Sequence, residues 1–377
     1  MIAKTLYGFE ELLEKELRAL GASKTEIGVR NVSFEGDNGF MYKANLNLRT
    51  AIKIIKPIYE FRVRNEEDLY KQVYSLALEH YLSEDQSFAI DTTLATDLFS
   101  HSLYVSQKAK DAIVDKFRKK TGRRPSIDIK NPDVKFNLHI QRNHCTLSLD
   151  SSGSSLHHRG YRTATNIAPI NEVLAAGILL LSGWDGRGHF LDPMCGSGTF
   201  LIEAAMIACN IPANINRKGF AFEKWKDFDS ELYQKIVETS LNKVKDFHYT
   251  IKGYDKAPSA VRKAIDNAEN ANLSEYITVE QTSFFESKKD TEGPLHMVFN
   301  PPYGERLSID MEEFYASIGD TLKQSYPGTQ AWMISSNLDA LKHVGLKTSR
   351  KIKLFNSQLE SRLVCYDMYQ GSKKRRD

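Results

Sequence analysis

From about residue 170 onward, short apolar runs of four or five residues alternate with longer stretches of helical periodicity. Only a parallel sheet covered by helices on both faces accommodates that rhythm, so the C-terminal half is predicted to be α/β. The pattern places strands at 189–192, 250–254, 277–281, 296–299 and 331–335. Helices fall at 171–181, 199–209, 259–270 and 311–324, and a closing hairpin uses 351–356 and 362–369. Residues 210–248 are longer than an ordinary connection and read as a partly helical insertion.

The first half has a different grammar. Phe9, Leu12, Leu13, Leu17 and Leu20 repeat at helical spacing before Gly21, and alternating segments follow around Val29 to Phe34, giving a small α/β unit over 1–60. A second unit spans 61–150. It ends in a hairpin whose arms alternate Val134, Phe136, Leu138, Ile140 and Cys145, Leu147, Leu149 across a turn at 142–144. Residues 151–155, SSGSS, are polar and aperiodic and read as the start of a linker over 151–165, ahead of the main domain at 166–377. With 377 residues and 41% apolar content, several cores are expected.

Composition excludes more than it identifies. No window approaches the roughly 18 apolar residues of a membrane span, and acidic residues interrupt the first 20 positions where a secretory signal would be unbroken. The four cysteines have no paired spacing, which argues against a zinc cluster or a disulfide framework. A soluble protein of a reducing, cytoplasmic compartment is expected. Net charge is only +3, but residues 101–150 hold 11 Lys/Arg against 5 Asp/Glu. Around 108–124 a helix is expected to bury Val105, Ala109, Ala112, Ile113 and Phe117 and to turn its cations outward: Lys108, Lys116, Lys119, Lys120, Arg123 and Arg124. A solvated face and a polyanion contact fit that helix equally well.

Three motifs carry chemistry. DPMCGSGTF ends a strand in Asp192, turns through Gly196 and Gly198 and enters a helix at Thr199, the position where open α/β sheets bind nucleotide-like ligands. Its spacing is neither G-x-G-x-x-G nor a phosphate-binding loop with its lysine, which disfavours a dinucleotide or nucleoside triphosphate. A zwitterionic amino-acid moiety fits better. The next strand ends in Asp255, an acceptor for a ribose hydroxyl or a plain helix cap. After strand 296–299 comes Asn300-Pro301-Pro302-Tyr303. The Asn300 side-chain carbonyl, with a backbone carbonyl freed by Pro301 and Pro302, can accept both hydrogens of a planar conjugated amine, and the Tyr303 ring can stack on the base that carries it. His157 and His158 read as surface residues rather than metal ligands, since no carboxylate lies at ligand spacing. No metal is expected. Arg306 reads equally as a structural ion pair or a phosphate contact, and the basic tail 371–377 as a frayed end.

With these motifs the chain resembles the class I methyltransferases, and more narrowly the THUMP-domain guanine-N2 methyltransferases of large-subunit ribosomal RNA. That resemblance implies a Rossmann-like class I sheet preceded by α+β ferredoxin-like and THUMP domains, the latter an RNA-binding module carried by FAIDTT and KDAIVDKF. It implies S-adenosylmethionine as cofactor, S-adenosylhomocysteine as product, and RNA or a ribosome-assembly intermediate as partner. HHRGYRTATNIAPINEVLAA resembles the segment that closes over the methionine end, with Asn171 as the contact there. Where relatives have Asp-Phe beside the adenine, this chain has Ser283-Phe284, of which Ser283 is expected to hydrogen-bond the adenine and Phe284 to pack on its ring. NPPY is shared with adenine-N6 methylases and does not choose the base. Guanine-N2 methylation of ribosomal RNA or tRNA, adenine-N6 methylation of DNA or RNA, and a non-catalytic RNA-binding factor therefore remain as readings, with the first favoured.

Overall fold

The computed structural model of the protein describes residues 1–162, 170–302 and 310–369. The first unit runs β1 (Ile2–Thr5), α1 (Glu10–Leu20), β2 (Ser23–Gly28), β3 (Asn31–Glu35), α2 (Asn38–Asn47) and β4 (Ala51–Arg62). Helix α1 forms because Leu13 and Leu17 share one buried face, and α2 starts where the Asp37 side chain accepts the Phe40 amide. The second unit follows with α3 (Glu66–Ser75), β5 (Ser87–Ala95), α4 (Ser102–Thr121), β6 (Ser126–Ile127), β7 (Val134–Gln141) and β8 (His144–Asp150).

These two units share one eight-stranded sheet, in the order β2-β3-β1-β4-β8-β7-β5-β6. Strand β4 runs through the boundary expected at residue 60 and pairs antiparallel with β8. The β7–β8 hairpin turns on Arg142 and Asn143 alone, with Gln141 opposite His144, one residue tighter than the sequence pattern implies. Arg142 takes the left-handed conformation that such a turn demands.

The third unit comprises α5 (Glu172–Ser182), β9 (His189–Asp192), α6 (Thr199–Ala208), α7 (Ser230–Leu241), β10 (Ile251–Asp255), α8 (Pro258–Asn270), β11 (Ile277–Gln281), β12 (Leu295–Phe299), α9 (Met311–Ser325), β13 (Thr329–Ser335), β14 (Arg350–Asn356) and β15 (Leu359–Asp367). Its seven strands are ordered β11-β10-β9-β12-β13-β15-β14. The first five are parallel, and β15 runs antiparallel to both its neighbours. Strand β9 is the point from which the chain winds in both directions, so the crevice above its carboxyl end is the natural ligand position.

Residues 151–155 are not a loose spacer. Ser151 and Ser152 are fully buried. The Ser151 hydroxyl donates to the Ile54 carbonyl at 2.8 Å and the Ser152 hydroxyl to Asn45 Oδ1 at 2.6 Å. A Gly/Ser-rich composition signals flexibility only while its hydroxyls lack partners, and here the backbone of β4 and the amide of Asn45 supply them.

The units also exchange side chains. Phe9, from the first unit, lies in the core of the third, against Gly177 of α5, where an added Cβ would come within 2.1 Å of the ring. In return the insertion after α6 sends Phe220, Phe222 and Trp225 into the N-terminal core, with Phe222 stacked on Tyr42 at 4.5 Å.

At the centre of this joint Arg159 is buried. It donates to the carbonyls of Leu156 and Arg49 and to Asn214 Oδ1, and its Nε lies 3.5 Å from Glu203 on α6, both side chains wholly buried. The Tyr161 hydroxyl donates to the same carboxylate at 3.0 Å. Replacing Arg159 by Met strands Glu203 without its counter-charge. The expected loss of unfolding free energy is about 3–5 kcal/mol, read from the urea midpoint. Arg159→Met with Glu203→Leu should recover most of it, because neither charge then remains buried.

Candidate functional site

Three of the expected site residues stand at the carboxyl ends of adjacent parallel strands. Asp192 closes β9 and Asp255 closes β10, while Asn300 follows β12 on the other side of β9. Pro301 behind it is buried and Pro302 half-buried. Tyr303 and Arg306 lie outside the described residues, as does the basic tail.

The Gly-rich turn is braced from three sides. The Gly196 amide donates to Asp255 Oδ2 at 3.0 Å, the Cys195 amide to the Tyr254 carbonyl at 2.9 Å, and Asn267 of α8 donates to the Ser197 carbonyl at 3.0 Å. Gly198 sits at φ 81°, with Ala264 3.1 Å from where a Cβ would be, so both conformation and packing require glycine. The second carboxylate oxygen of Asp255 accepts the Ala257 amide at 2.9 Å. Asp255 thus holds the bend ahead of α8 and buttresses the Gly-rich turn at once, without capping the helix.

Asp192 is 2% exposed and accepts the Met194 amide at 3.1 Å. Burial, reinforced by the neighbouring Asp255, pushes its carboxyl well above the usual carboxylate range. A cationic ligand group arriving above β9 is the partner that would restore its charge. Asn171 caps α5: its Oδ1 accepts the amides of Val173 and Leu174 at 2.9 and 3.1 Å. Its acceptor is therefore committed to the helix, which leaves only its amide nitrogen for a ligand.

Ser283 follows β11, beside Asp255, whose carbonyl accepts the Thr282 amide at 3.2 Å. Phe284 does not fit the part of a ring-packing residue. It is 3% exposed, within the core cluster of Leu191, Phe299 and Tyr326, and the ring left outside is Phe285. Apolar character at that position reflects core packing behind the cleft.

Two residues that pattern reading passed over complete the cleft. The Arg162 guanidinium donates to Thr199 Oγ1 at 2.7 Å and to the Ile170 carbonyl at 3.0 Å, and its Nε stands 3.3 Å from Glu172. Glu172 at the start of α5 is buried, and burial pushes its carboxyl up to about 7 against the pull of Arg162. One signal was available: Glu172 and Glu203 are lone charges in otherwise apolar helical runs, and a charge placed there needs a partner.

The basic helix divides the cations expected to meet a polyanion. Lys116 donates to the carbonyls of Ser75 and Leu76 at the end of α3, a capping role. Lys120 pairs with Glu79 at 2.7 Å and Arg123 with Glu84 at 3.2 Å, while Lys108 sits over the Tyr70 ring at 5.4 Å. Lys119 and Arg124 are exposed and turn to solvent. Helix periodicity marks which residues face outward, whereas pairing depends on α3 and the segment after it. Among the described residues, no group of His, Cys, Asp or Glu could hold a metal, and no helix is long and apolar enough to cross a membrane.

Comparison with known proteins places this arrangement in company. Residues 159–364 match the family described as RMKL-like, methyltransferase domain; residues 63–150 match the THUMP domain, and residues 1–55 the RlmL ferredoxin-like domain. A Synechocystis protein provisionally named an RNA methyltransferase is 35% identical, covering 96% of this chain and 95% of its own. The ribosomal RNA large subunit methyltransferase K/L of Syntrophotalea carbinolica is 37% identical over 96% of this chain. This chain spans about half of that relative, 52% of its length. The crystal structure of SMU.472, solved with SAH, superposes with a TM-score of 0.87 at 31% identity, over 98% of both chains.

Glu172 yields a prediction about pH. Its carboxyl rises from the ordinary 4.5 to about 7 on folding, so the folded state binds the proton more tightly than the unfolded state. The stability that this proton contributes is fully present below about 4.5 and lost as pH rises through about 7. Glu172→Gln should be more stable than the parent at pH 8, with the difference shrinking towards pH 5 in urea titrations. A difference constant across that range would contradict it.

Proposed function

The chain belongs to the RMKL-like methyltransferase family, with ferredoxin-like and THUMP units ahead of the catalytic domain, and from that premise we propose that it transfers a methyl group from S-adenosylmethionine to the exocyclic N2 amine of a guanine in large-subunit ribosomal RNA. The observation that carries this reading is the placement of Asn300 and its two prolines directly beside the Asp192–Asp255 crevice, behind a THUMP unit. A ribosomal substrate puts the work in the cytoplasm.

The donor set fits the cofactor: turn amides around Gly196, two carboxylates at neighbouring strand ends, and a serine past the third strand. Asp255 would hold the ribose hydroxyls, Asp192 would face the ammonium or sulfonium end, and the turn through Gly198 and Thr199 would receive the amino-acid part. When bound, S-adenosylmethionine supplies an electrophilic methyl on a positively charged sulfur. Asn300 accepts a hydrogen from the target amine and fixes its direction, while the chain at Pro301 contributes a carbonyl that no following N–H competes for. Such positioning is worth up to roughly 7–11 kcal/mol of barrier. Asn300 would hold the amine in line with that methyl, and the surplus proton left on the methylated nitrogen would pass to water.

Incubation with labelled S-adenosylmethionine and undermodified ribosomal RNA, followed by digestion to nucleosides and mass spectrometry, tests the reading. N2-methylguanosine is expected, and N6-methyladenosine would overturn the base assignment. Asn300→Ala should lower turnover by about a hundredfold or more while calorimetry finds S-adenosylhomocysteine binding unchanged. Reversing Lys119 and Arg124 to Glu should weaken RNA binding and flatten its salt dependence by roughly 0.7–0.9 in log–log slope for each phosphate that is no longer neutralised. Lys116→Met should act on stability instead.

A further inference from the structure

His157 and His158 take no part in the chemistry above, yet their setting is unusual. They lie on the strap between β8 and the cleft, with ring centroids 3.9 Å apart. His157 is half-buried, its Nδ1 2.8 Å from the Ser155 hydroxyl, and His158 is exposed. The strap is rigid at this point. Arg217, from the insertion, donates to the carbonyls of Ser152, Ser154, Ser155 and His158. Gly160 packs so closely on the Asn216 backbone that a Cβ would fall 1.9 Å from its carbonyl oxygen. Lys218, next in the chain, is exposed.

The charged groups that act most on the two rings are cationic: Arg159, Arg162 and Arg217 on His157, and Arg162 and Arg217 on His158. Burial and these neighbours push His157 down to about 4 and His158 below the ordinary histidine value. His157 is therefore neutral near pH 7, and the charged form of His158 is disfavoured. Arg159 and Arg162 are paired with Glu203 and Glu172, but the Arg217 guanidinium donates to neutral carbonyl and hydroxyl oxygens, so the partner this setting suits is an anion. Position identifies which. The strap leaves the THUMP sheet at Asp150 and reaches Thr199 of the Gly-rich turn through Arg162, so it borders the route from the RNA-binding module to the reacting amine.

We propose that His157 and His158, on the strap braced by Arg217, form a phosphate-contact site for the RNA substrate, and that RNA binding there is coupled to proton uptake by the histidine pair. This rests on the reading of the chain as an RNA methyltransferase. A phosphate brought against the pair favours the imidazolium form, in which both ring nitrogens donate. Because the bound form holds the proton more tightly, affinity rises as pH falls into the range of the raised bound values, and the gain is lost as pH rises through them.

The test measures binding of the full chain to an unmodified large-subunit ribosomal RNA transcript between pH 7.5 and 5.5, beside His157→Asn/His158→Asn. The parent should tighten on acidification by up to about tenfold for each unit by which RNA raises a histidine, while the double variant binds no more tightly than the parent at pH 7.5 and stays flat as pH falls. Equal pH dependence in the two proteins overturns the proposal and leaves the methyltransferase reading standing. Imidazole NMR titrations with sodium tripolyphosphate, the two resonances being identified by their loss in the variants, should show both rings titrating at higher pH with the probe. Rings that respond to neither tripolyphosphate nor RNA overturn the site even where methylation proceeds. No RNA binding at any pH, with S-adenosylhomocysteine still bound, overturns the substrate reading and this contact with it. Retention of an acidic polypeptide such as polyglutamate at the strap, with no RNA effect, transfers the site to a protein partner and equally overturns it.

Discussion

The buried contact between Arg159 and Glu203 is the constraint on which the rest of the molecule turns. Two full charges withdrawn from water cost several kcal/mol each, repaid only where geometry satisfies both. Here Arg159 also binds the carbonyls of Arg49 and Leu156 and the side chain of Asn214, so it gathers the first unit, the strap, the insertion and α6 around one guanidinium. Phe9 against Gly177 and the Phe222–Tyr42 stack then fill the space on either side of that polar centre. Apolar packing alone would tolerate a small rotation between the N-terminal sheet and the catalytic sheet, since greasy surfaces lack direction. A buried charge with several fixed acceptors does not, and the distance from THUMP surface to cleft becomes a property of the fold.

The same logic governs the cleft. Arg162 joins the Gly-rich turn to α5 through Thr199 and Glu172, and Asp255 joins β10 to that turn through the Gly196 amide. Residues that would touch a ligand are thereby held by others that would not, so the cleft is organised before anything enters it. Asp192 and Glu172 are both displaced upward from ordinary carboxylate values. Burial thus disfavours the charged form of both carboxyls, and a cationic ligand would offset that penalty.

Periodicity and turn chemistry made the element plan of this chain legible, and strand ends such as Gln281 and Ser335 fall where alternation and flanking polar residues put them. The Gly turn, Asp255 and the Asn-Pro-Pro run also stand at the strand ends where alternation puts them. What sequence could not supply was the partner of each polar group. Ser151 and Ser152 looked solvated until β4 and Asn45 provided acceptors, Lys116 looked free until the end of α3 met it, and nothing in the sequence showed that the Asn171 side-chain oxygen caps its own helix. Phe284 failed for the complementary reason: an aromatic ring is read equally as core or platform, and only the crowd of Phe299 and Tyr326 decides. Each miss is a choice made by a residue far away in sequence.

This distribution of pairing bears on how a nearly neutral protein, at +3 overall, manages a polyanion. Lys116, Lys120 and Arg123 already have partners within the fold, so they add little to long-range attraction, and the outward charge of the basic helix and its end rests on exposed side chains such as Lys119 and Arg124. Few outward cations there mean few released counterions, hence weak nonspecific binding by that face. Affinity for a particular RNA must then come from fitting several separate contacts at once, which only a rigid frame can impose. The charge that orders the joint and the scarcity of charge on the helix face are in this sense two halves of one device: the first fixes where contacts lie, and the second ensures that no single contact suffices.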